Sequence, residues 1–450
     1  MSGLFRRLPA PAQEILMSAY GWAQYRNRYT GRLPSPYAEL FDRPSAAPEW
    51  VAARQRERFS TLIRHAAAHV PYYRQLFSRL GITSDDITLE NFTTILPVLT
   101  KDTLRSRNKD LHSERHQHGG TVLFTSGTSG TPLHVLADSD ARRINYAYFR
   151  RLLQDNGSDV RARSATFAGR LFTRPDERKH MWRRDLFTRT LYCSSYHLTE
   201  ETIPLYIRAL EQWQPEYIDS YPSAISCLAG FMVRNHINHS IRPKFVLTSS
   251  ETLQQEAREH IQQAFGCRVV DHYGCTELAV AARSQPDGGY TFDPLYSLVE
   301  FSPTGTDGET ELIVTGLVNL GMPLIRYAIG DVVRGGWRKD DWRAGFSSLT
   351  GRQEDVVLTP EGRAIGRLDP AFKGVDGIVR SQIVQDEVHR IEVRVVPAPG
   401  SDMERIRKVL TENLRSRTSQ SMTIDVIEVV DIPLTRSGKL KAVISRVGKV

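Results

Sequence analysis

Cysteine is scarce in this chain of 450 residues, which contains only Cys193, Cys227, Cys267 and Cys275. No two of them form a Cys-x-x-Cys pair, so the spacing of a zinc knuckle is absent. Four widely separated cysteines also do not suggest a disulfide framework. We therefore expect reduced thiols, as is typical of a cytoplasmic protein.

Long apolar runs are missing as well, and none approaches the ~20 residues that a helix needs to cross a bilayer. Near the N-terminus, Gln13 and Glu14 interrupt the apolar residues, so the sequence does not predict a signal peptide. Apolar residues nevertheless recur there at helical spacing: Ile15, Leu16, Ala19, Tyr20 and Ala23. We favour a helix that docks this stripe on its own domain, with a membrane-surface helix as the alternative.

Lysine is the third scarcity, because ten of the 59 basic residues are lysine and the rest are arginine. Against 51 acidic residues this gives a formal charge of +8 and a pI of about 9.3. We attribute the excess to arginine-rich composition and do not predict nucleic-acid binding. With 40% hydrophobic and 24% charged residues, the chain is typical of a globular protein with roughly two to four folding units.

The order of predicted elements indicates an α/β fold. Residues 1–100 are mostly helical, with clear helical periodicity over 48–70 that ends at Pro71. Between 120 and 350, β-rich runs such as EYIDSY, KFVLTSS and CRVVDHY alternate with helix-like segments, which favours a largely parallel sheet. After residue 352 a strand–helix–strand pattern predicts a small α+β domain. We therefore expect an N-terminal domain over 1–351 and a C-terminal domain over 352–450.

A Ser/Thr/Gly-rich loop follows the predicted strand TVLF and is a candidate phosphate-binding loop. Its residues are Thr125, Ser126, Gly127, Thr128, Ser129 and Gly130. Glycines let the backbone approach an anion, and hydroxyl and amide groups donate to phosphate oxygens. The loop lacks the Gly-Lys-Ser/Thr of a Walker A motif. A plain surface turn is the alternative when the loop is taken alone.

The segment VVDHYGCTEL is a second candidate site, in which a predicted strand runs into a turn. Its polar and turn residues are Asp271, His272, Tyr273, Gly274, Thr276 and Glu277. An aromatic ring can stack on a base, a hydroxyl can bind phosphate and a carboxylate can bind Mg²⁺. The alternative is a strand-to-helix turn with a capping threonine.

Three further segments each present one polar residue in a turn or loop. Asp331 follows a glycine in GMPLIRYAIGDVV, Arg352 precedes an acidic pair in LTGRQEDVV, and Lys439 lies in IPLTRSGKLK. Taken singly, a turn aspartate, a surface ion pair and an exposed lysine are adequate explanations.

The order and spacing of these five segments resemble the acyl-adenylate-forming superfamily over nearly the whole chain. The resemblance is greatest to the phenylacetate–CoA ligase branch, including relatives encoded in capsular-polysaccharide clusters. It implies a large adenylation domain and a small mobile C-terminal domain, with the hinge near 352–356. It also implies ATP and Mg²⁺ as cofactors, a small carboxylic acid as substrate, and CoA, an amine or a hydroxyl group as the acyl acceptor. A homodimer is compatible with it.

The resemblance assigns a role to each matching position. Thr125 through Gly130 would hold the β- and γ-phosphates, and Tyr273 would lie along the adenine, with Asp271, His272 and Gly274 beside it. The turn Ser249, Ser250 and Glu251 would line the other side of the nucleotide. Thr276 would contact the α-phosphate, Glu277 the Mg²⁺, and Asp331 the ribose, with Arg352 adjacent. Glu354 would be the hinge residue, Lys439 would bridge the substrate carboxylate and the α-phosphate, and Ala168, Gly169, Tyr221 and Pro222 would line the acid pocket.

Two departures from the family pattern concern different steps. Leu133 stands where many members have a lysine after the loop proline, which bears on the charge contact between the loop and pyrophosphate. EGRAIGRLDPAF differs from the thiol-proximal segment of phenylacetate–CoA ligase, which bears on the second half-reaction. Adenylation is therefore better supported than CoA transfer. A non-catalytic nucleotide-binding relative is the alternative of another class, and retention of Lys439 in a lysine-poor chain argues against it.

A basic run over 169–189 has seven basic and three acidic residues. The two interpretations are a solvated loop and, through Arg183 and Arg184, a docking surface for an anionic second substrate.

Overall fold

The computed structural model describes residues 5–35, 37–42, 47–116, 119–124, 133–168, 170, 172–174, 177–199, 201–250, 253, 255–286, 288–303, 308–339, 343–349, 357–365, 368–372, 375, 377–397, 400–432 and 443–447. The predicted loop Thr125–Gly130 and Gly169, Glu251, Arg352, Glu354 and Lys439 lie outside these ranges.

The helices of the described chain fall largely where the periodicity predicts them. They are α1 (Ala10–Tyr29), α2 (Tyr37–Asp42), α3 (Pro48–His69), α4 (Pro71–Leu80), α5 (Phe92–Ile95), α6 (Lys101–Ser106), α7 (Ser139–Asp155), α8 (Ile203–Trp213), α9 (Pro222–Arg234), α10 (Gln255–Phe265) and α11 (Met403–Arg415). The helix predicted over 48–70 is α3, which starts at a proline and stops before Pro71, as expected from the fixed φ of proline at a first helical turn.

The strands form several sheets. They are β1 (Thr121–Phe124), β2 (His134–Ala137), β3 (Ser164–Ala168), β4 (Trp182–Asp185), β5 (Thr190–Ser194), β6 (Tyr217–Ser220), β7 (Phe245–Ser249), β8 (Arg268–Gly274), β9 (Ala281–Ser284), β10 (Tyr290–Phe292), β11 (Ser297–Pro303), β12 (Glu309–Gly316), β13 (Tyr327–Arg334), β14 (Trp337–Lys339), β15 (Arg343–Phe346), β16 (Ser348–Leu349), β17 (Val357–Leu358), β18 (Ala364–Ile365), β19 (Ile378–Glu387), β20 (Arg390–Pro397), β21 (Thr423–Glu428) and β22 (Val443–Ser445).

A ten-stranded mixed sheet is the centre of the α/β part, in the order β14-β15-β10-β9-β8-β7-β6-β3-β5-β4. Its five middle strands, β8, β7, β6, β3 and β5, pair in parallel, and antiparallel strands extend both edges. The predicted fold class is therefore confirmed. Parallel strands need covered faces, and α8, α9 and α10 bury Phe167, Ile218 and Val246 on one of them.

The predicted phosphate-binding loop is bracketed by a two-stranded antiparallel hairpin. β1 pairs with β2 so that Phe124 lies opposite His134. A separate antiparallel sheet, β11-β12-β13-β16, packs on α3 and α4 through a core that includes Phe59, Leu62 and Tyr327. This second sheet carries Asp331 on β13.

The described residues of the C-terminal part form six strands, where the strand–helix–strand pattern predicts two. The run 381–397 is a hairpin of β19 and β20, joined by a turn at Val388 and His389. Neither turn residue is Gly, Pro, Asn or Asp, so the sequence carries no signal for the reversal. β21 and β22 add in parallel on the two edges, and α11 packs on this sheet through Ile406, Leu410 and Leu414.

The predicted helix near the N-terminus is α1, and it docks on its own domain with the opposite face to the one expected. Its buried residues are Gln13, Met17 and Gly21, whereas Ile15, Leu16 and Tyr20 are exposed. The prediction that the apolar stripe packs inward is therefore wrong. Polar contacts with β4 hold the helix instead. In the described part of the chain, no helix is both long and apolar enough to cross a membrane.

Candidate active site

The carboxyl ends of four parallel strands bring most of the described candidate residues to one edge of the central sheet. Ala168 ends β3, Tyr221 follows β6, Ser249 ends β7 and Gly274 ends β8. The register confirms their proximity, since Ser249 lies opposite His272. Ligands of open α/β sheets bind in the crevice at this edge, so the placement is that of a ligand site.

Tyr221 and Pro222, predicted to line the acid pocket, form the start of α9. The Tyr221 amide donates to the carbonyl of Phe167 at 3.1 Å, which ties the helix start to the end of β3 beside Ala168. Pro222 occupies the first helical position, where its missing N–H costs nothing. The strand ends thus place these three predicted pocket residues side by side.

Two turns at this edge contain residues with left-handed backbone. Ser250, after β7, has φ of +74°, and Leu278, after β8, has φ of +56°. Such conformations are costly for residues other than glycine and cluster at functional sites. Behind the second turn, a Cβ added at Gly316 would lie 2.9 Å from Ala279 Cα. Only glycine at this position of β12 allows the turn to pack so closely.

Tyr273 and Asp331 are joined directly. The Tyr273 hydroxyl donates to Asp331 Oδ2 at 2.7 Å, and both side chains are buried. Tyr273 also packs edge-on against Phe346, with ring centroids 5.7 Å apart. Two residues that the sequence places 58 positions apart thus form one unit where β8 meets β13.

Thr276 and Glu277 lie in the turn after β8, and Glu277 is 7% exposed. A single buried carboxylate suits Mg²⁺, which usually takes one or two carboxylates and completes its shell with substrate phosphates and water. Among the described residues no three His, Cys, Asp or Glu side chains are grouped to hold a metal by themselves. The Glu277 carboxylate is compatible with a magnesium ion that takes its other ligands from phosphate and water.

The Asp271 carboxylate is used within the fold. It accepts hydrogen bonds from the hydroxyls of Thr248 and Tyr290, while its amide donates to Ser284 Oγ at 2.8 Å. Burial raises the pKa of this carboxyl, and the two hydroxyl donors lower it. Thr248 and Tyr290 were not predicted from the sequence, and partners across strands leave no local pattern by which they could be found.

His272 faces the opposite side of β8. Burial lowers the pKa of its imidazole to about 4, and Arg283 acts in the same direction. Arg283 lies opposite it on β9. The ring is therefore neutral at pH 7, so it adds no positive charge to the site.

Arg326, like Thr248 and Tyr290, is a supporting residue that was not predicted from the sequence. It precedes β13 with φ of +52°, and its guanidinium binds Glu300 at two points, with Nη2–Oε2 at 2.8 Å and Nε–Oε1 at 3.0 Å. The same guanidinium donates to the carbonyl of Leu96. These hydrogen bonds fix the backbone immediately before β13, the strand that carries Asp331. Nothing in the sequence signals that a residue other than glycine adopts a left-handed backbone at this position.

Arg183 and Arg184, the candidate docking residues, both make contacts within the fold. Arg183 is buried and donates to Gln13 Oε1 of α1 and to the carbonyl of His180. Arg184 pairs with Glu14 of α1, with Nη2–Oε2 at 3.1 Å. Their charges hold the N-terminal helix on β4, so a second substrate would have to displace those contacts to reach them.

The C-terminal part contacts the α/β part through a buried arginine. Arg363, in the β17–β18 hairpin, donates to the carbonyl of Tyr196, just after β5, and to the carbonyl of Thr418, just after α11. Burial lowers the pKa of this guanidinium, and Glu361 raises it. The contact places the hairpin between the two parts in this conformation.

Comparisons with known proteins agree with these observations. Residues 357–446 match the family described as the CapK C-terminal domain. The chain is 24% identical to Protein CapK of Staphylococcus aureus, over 99% of each chain. It is 25% identical to a phenylacetate–coenzyme A ligase of Pseudomonas putida, over 70% of this chain and 73% of that one.

Among solved structures, the chain is similar to a 2-hydroxyisobutyryl-CoA ligase in the postadenylation state in complex with 2-HIB-AMP. The TM-score is 0.55 at 19% identity, and the match covers 94% of each chain. The predicted resemblance is thus confirmed. The chain is similar over most of its length to CapK and to phenylacetate–CoA ligases, and it shares the fold of the 2-hydroxyisobutyryl-CoA ligase.

Proposed function

We propose that this protein activates a carboxylic acid with ATP and then transfers the acyl group to CoA. In the first step, a carboxylate oxygen attacks the α-phosphorus, the bond to the bridging oxygen breaks, and pyrophosphate leaves. In the second, the CoA thiol attacks the acyl carbon, the anhydride bond breaks, AMP leaves, and the thiol proton passes to solvent.

The observation that carries the proposal is the cluster of Tyr273, Asp331 and Glu277 at the carboxyl edge of the parallel strands. It offers an aromatic ring, a carboxylate for ribose hydroxyls and a second carboxylate at the adjoining turn. These groups suit a nucleotide with its metal. The 2-hydroxyisobutyryl-CoA ligase of the same fold is described with an acyl-adenylate and CoA, which supports both steps of the reaction.

Charge neutralisation is the main task of such a site, because a carboxylate and a triphosphate repel each other. Mg²⁺ bound at Glu277 would neutralise phosphate charge and polarise the α-phosphate. Lys439 would bridge the two reacting anions, Thr276 would donate to the α-phosphate, and residues 125–130 would donate to the outer phosphates. No general base is needed, since the acid is already ionised at pH 7.

We include in this proposal a domain boundary at residue 351 and a rotation of the C-terminal domain about Glu354 between the two steps. The rotation would remove Lys439 from the site before the acceptor enters. It would also have to break the hydrogen bond from Arg363 to the Tyr196 carbonyl. Arginine suits a contact that must break and re-form, because its guanidinium can donate to other carbonyl groups.

Transfer of the acyl group to an amine or hydroxyl acceptor is the second candidate. The segment 361–372 departs from phenylacetate–CoA ligase at the thiol-proximal surface, and residues 357–446 match the CapK C-terminal domain. Both observations concern the acceptor side of the reaction, which is why this candidate is kept.

The deciding experiment is carboxylate-dependent ATP–pyrophosphate exchange over a panel of acids, followed by mass spectrometry of the products with and without CoA. We expect exchange with a subset of acids and an acyl-CoA product. Lys439→Ala is expected to abolish exchange, and Lys408→Ala on the exposed face of α11 serves as its control. Exchange without any CoA product would favour the second candidate, and retained exchange in Lys439→Ala would refute the role of this lysine.

A further inference from the structure

An ordinary surface helix buries its apolar face and exposes its polar face. Helix α1 does the opposite. Ile15, Leu16, Tyr20 and Trp22 are each between 47% and 70% exposed. Leu186, on the turn after β4, is 64% exposed and lies beside them, since its amide donates to Ser18 Oγ at 2.9 Å. We call these five residues the outer face of α1.

Polar contacts on the other side of α1 fix this orientation. The carboxylate of Asp185 lies against Gly21 where a Cβ would otherwise be, and Gln13 and Glu14 bind Arg183 and Arg184. The helix cannot rotate to bury its apolar side chains without breaking these bonds. The outer face is therefore a stable feature of the fold. Exposed apolar patches of this kind mark surfaces that bind a partner.

A basic groove adjoins the outer face. It has a volume of about 650 Å³ and is lined by Trp22, Arg26, Arg142 and Arg143, among others. The Arg26 guanidinium lies over the Trp22 ring at 5.0 Å, so apolar and cationic surfaces meet at one side chain. Arg142 donates to Thr121 Oγ1 and Arg143 pairs with Asp140, each at 2.8 Å, which holds both guanidinium groups at the groove.

We propose that the outer face of α1 lies on an anionic membrane surface, with phosphate groups of the lipids in the basic groove. The chemistry of the patch is that of an interfacial helix: aliphatic side chains enter the acyl boundary, Trp and Tyr lie at headgroup level, and arginines bind phosphate. Glu14, the only acidic residue of α1, already pairs with Arg184 and does not oppose the approach.

Charge favours a lipid surface over a second copy of this chain. A second copy of this chain would bring a face with the same positive charge and, among its described residues, no matching acidic patch. Anionic headgroups instead complement the arginines. The five exposed side chains then enter the bilayer boundary without needing a shaped partner.

The test is co-sedimentation of the full chain with vesicles of phosphatidylcholine, either pure or with about 30% phosphatidylglycerol. We expect binding to the anionic vesicles, little binding to the neutral ones, and weakening as salt rises from about 0.1 to 0.5 M. The double variants Ile15→Ser/Trp22→Ser and Arg26→Gln/Arg143→Gln should each weaken binding roughly tenfold or more.

Matched controls make the test specific. Val430→Ser changes an apolar residue that is 98% exposed elsewhere, and Arg390→Gln removes an exposed arginine of the C-terminal sheet. Both should bind as the unaltered chain does, and all variants should keep its thermal unfolding midpoint. Equal binding to both vesicle types, or no binding, would overturn the proposal. So would a dimer in solution that Ile15→Ser/Trp22→Ser converts to monomer.

Discussion

Tyr273 and Asp331 share a buried hydrogen bond of 2.7 Å that connects the central sheet to the second, antiparallel sheet. The bond holds the carboxylate proposed to bind ribose against the ring proposed to lie along adenine. The position of the Asp331 carboxylate at the proposed nucleotide site and the stability of the fold therefore depend on the same hydrogen bond.

Replacing Tyr273 with Phe tests this coupling. Loss of the donor removes a buried hydrogen bond to Asp331 Oδ2, which should lower the unfolding free energy by about 1–3 kcal/mol. The KM for ATP should rise as well, because the carboxylate is no longer held in place. Urea unfolding and exchange kinetics measure the two effects.

Tyr296→Phe is the matched control, since the Tyr296 hydroxyl also donates to a side-chain oxygen, Asn145 Oδ1, at 2.8 Å. It should reduce stability without changing the KM for ATP. An equal KM change in both variants would show that the Tyr273 bond has no particular role in nucleotide binding.

Glu277→Gln tests the proposed magnesium site. An amide keeps the size of the side chain but removes its charge, so the Mg²⁺ concentration needed for half-maximal exchange should rise roughly tenfold or more. Magnesium titration of the exchange rate gives this value. Glu309→Gln, which affects a surface ion pair with Arg334, should leave it unchanged. An unaltered magnesium requirement in Glu277→Gln would exclude the role.

Gly21→Ala tests the docking of α1. The added methyl group would collide with the buried carboxylate of Asp185, and such overpacking typically costs about 1–3 kcal/mol. Gly230→Ala in α9 is the control. Its nearest neighbour is the end of the flexible Arg234 side chain at 3.3 Å, and alanine favours helix by up to ~1 kcal/mol. Thermal unfolding should therefore separate the two variants, and equal midpoints would contradict the packing.

His197 predicts a pH dependence of stability. Its Nε2 donates to the carbonyl of Arg174 at 2.8 Å, and its Nδ1 accepts from Ser194 Oγ at 2.7 Å. Burial lowers the pKa of the ring from 6.5 to about 4, although the bond to Arg174 raises it. Between these values the unfolded chain binds the proton and the folded chain does not, so stability falls as pH drops from about 6.5 to 4.

His197→Gln should remove this share of the pH dependence, up to about 3 kcal/mol between pH 7 and pH 4. Urea unfolding across that range measures it, and the exposed His236→Gln is the control. His65 and His272 also have pKa values lowered to about 4. The unfolding free energy of His197→Gln should therefore still fall with decreasing pH, but less steeply. A slope unchanged in His197→Gln would contradict the prediction.

Local pattern was sufficient for most elements. Helical periodicity and proline placed α3, and the alternation of β-rich and helix-like segments predicted a largely parallel sheet. Both predictions depend only on residues that are close in sequence, within one helical turn or one strand. The C-terminal hairpin was missed because its turn at Val388 and His389 contains none of the residues that signal a reversal.

The sequence by itself determined which family the chain resembles, because motif order and spacing are properties of the chain alone. Tertiary structure decided which residues support the site. Thr248 and Tyr290 reach Asp271, and Arg326 sets the entry to β13, through contacts between distant segments. It also decided the face on which α1 docks. Periodicity shows that a helix has an apolar stripe, but Asp185 against Gly21 and Arg184 on Glu14 turn that stripe outward.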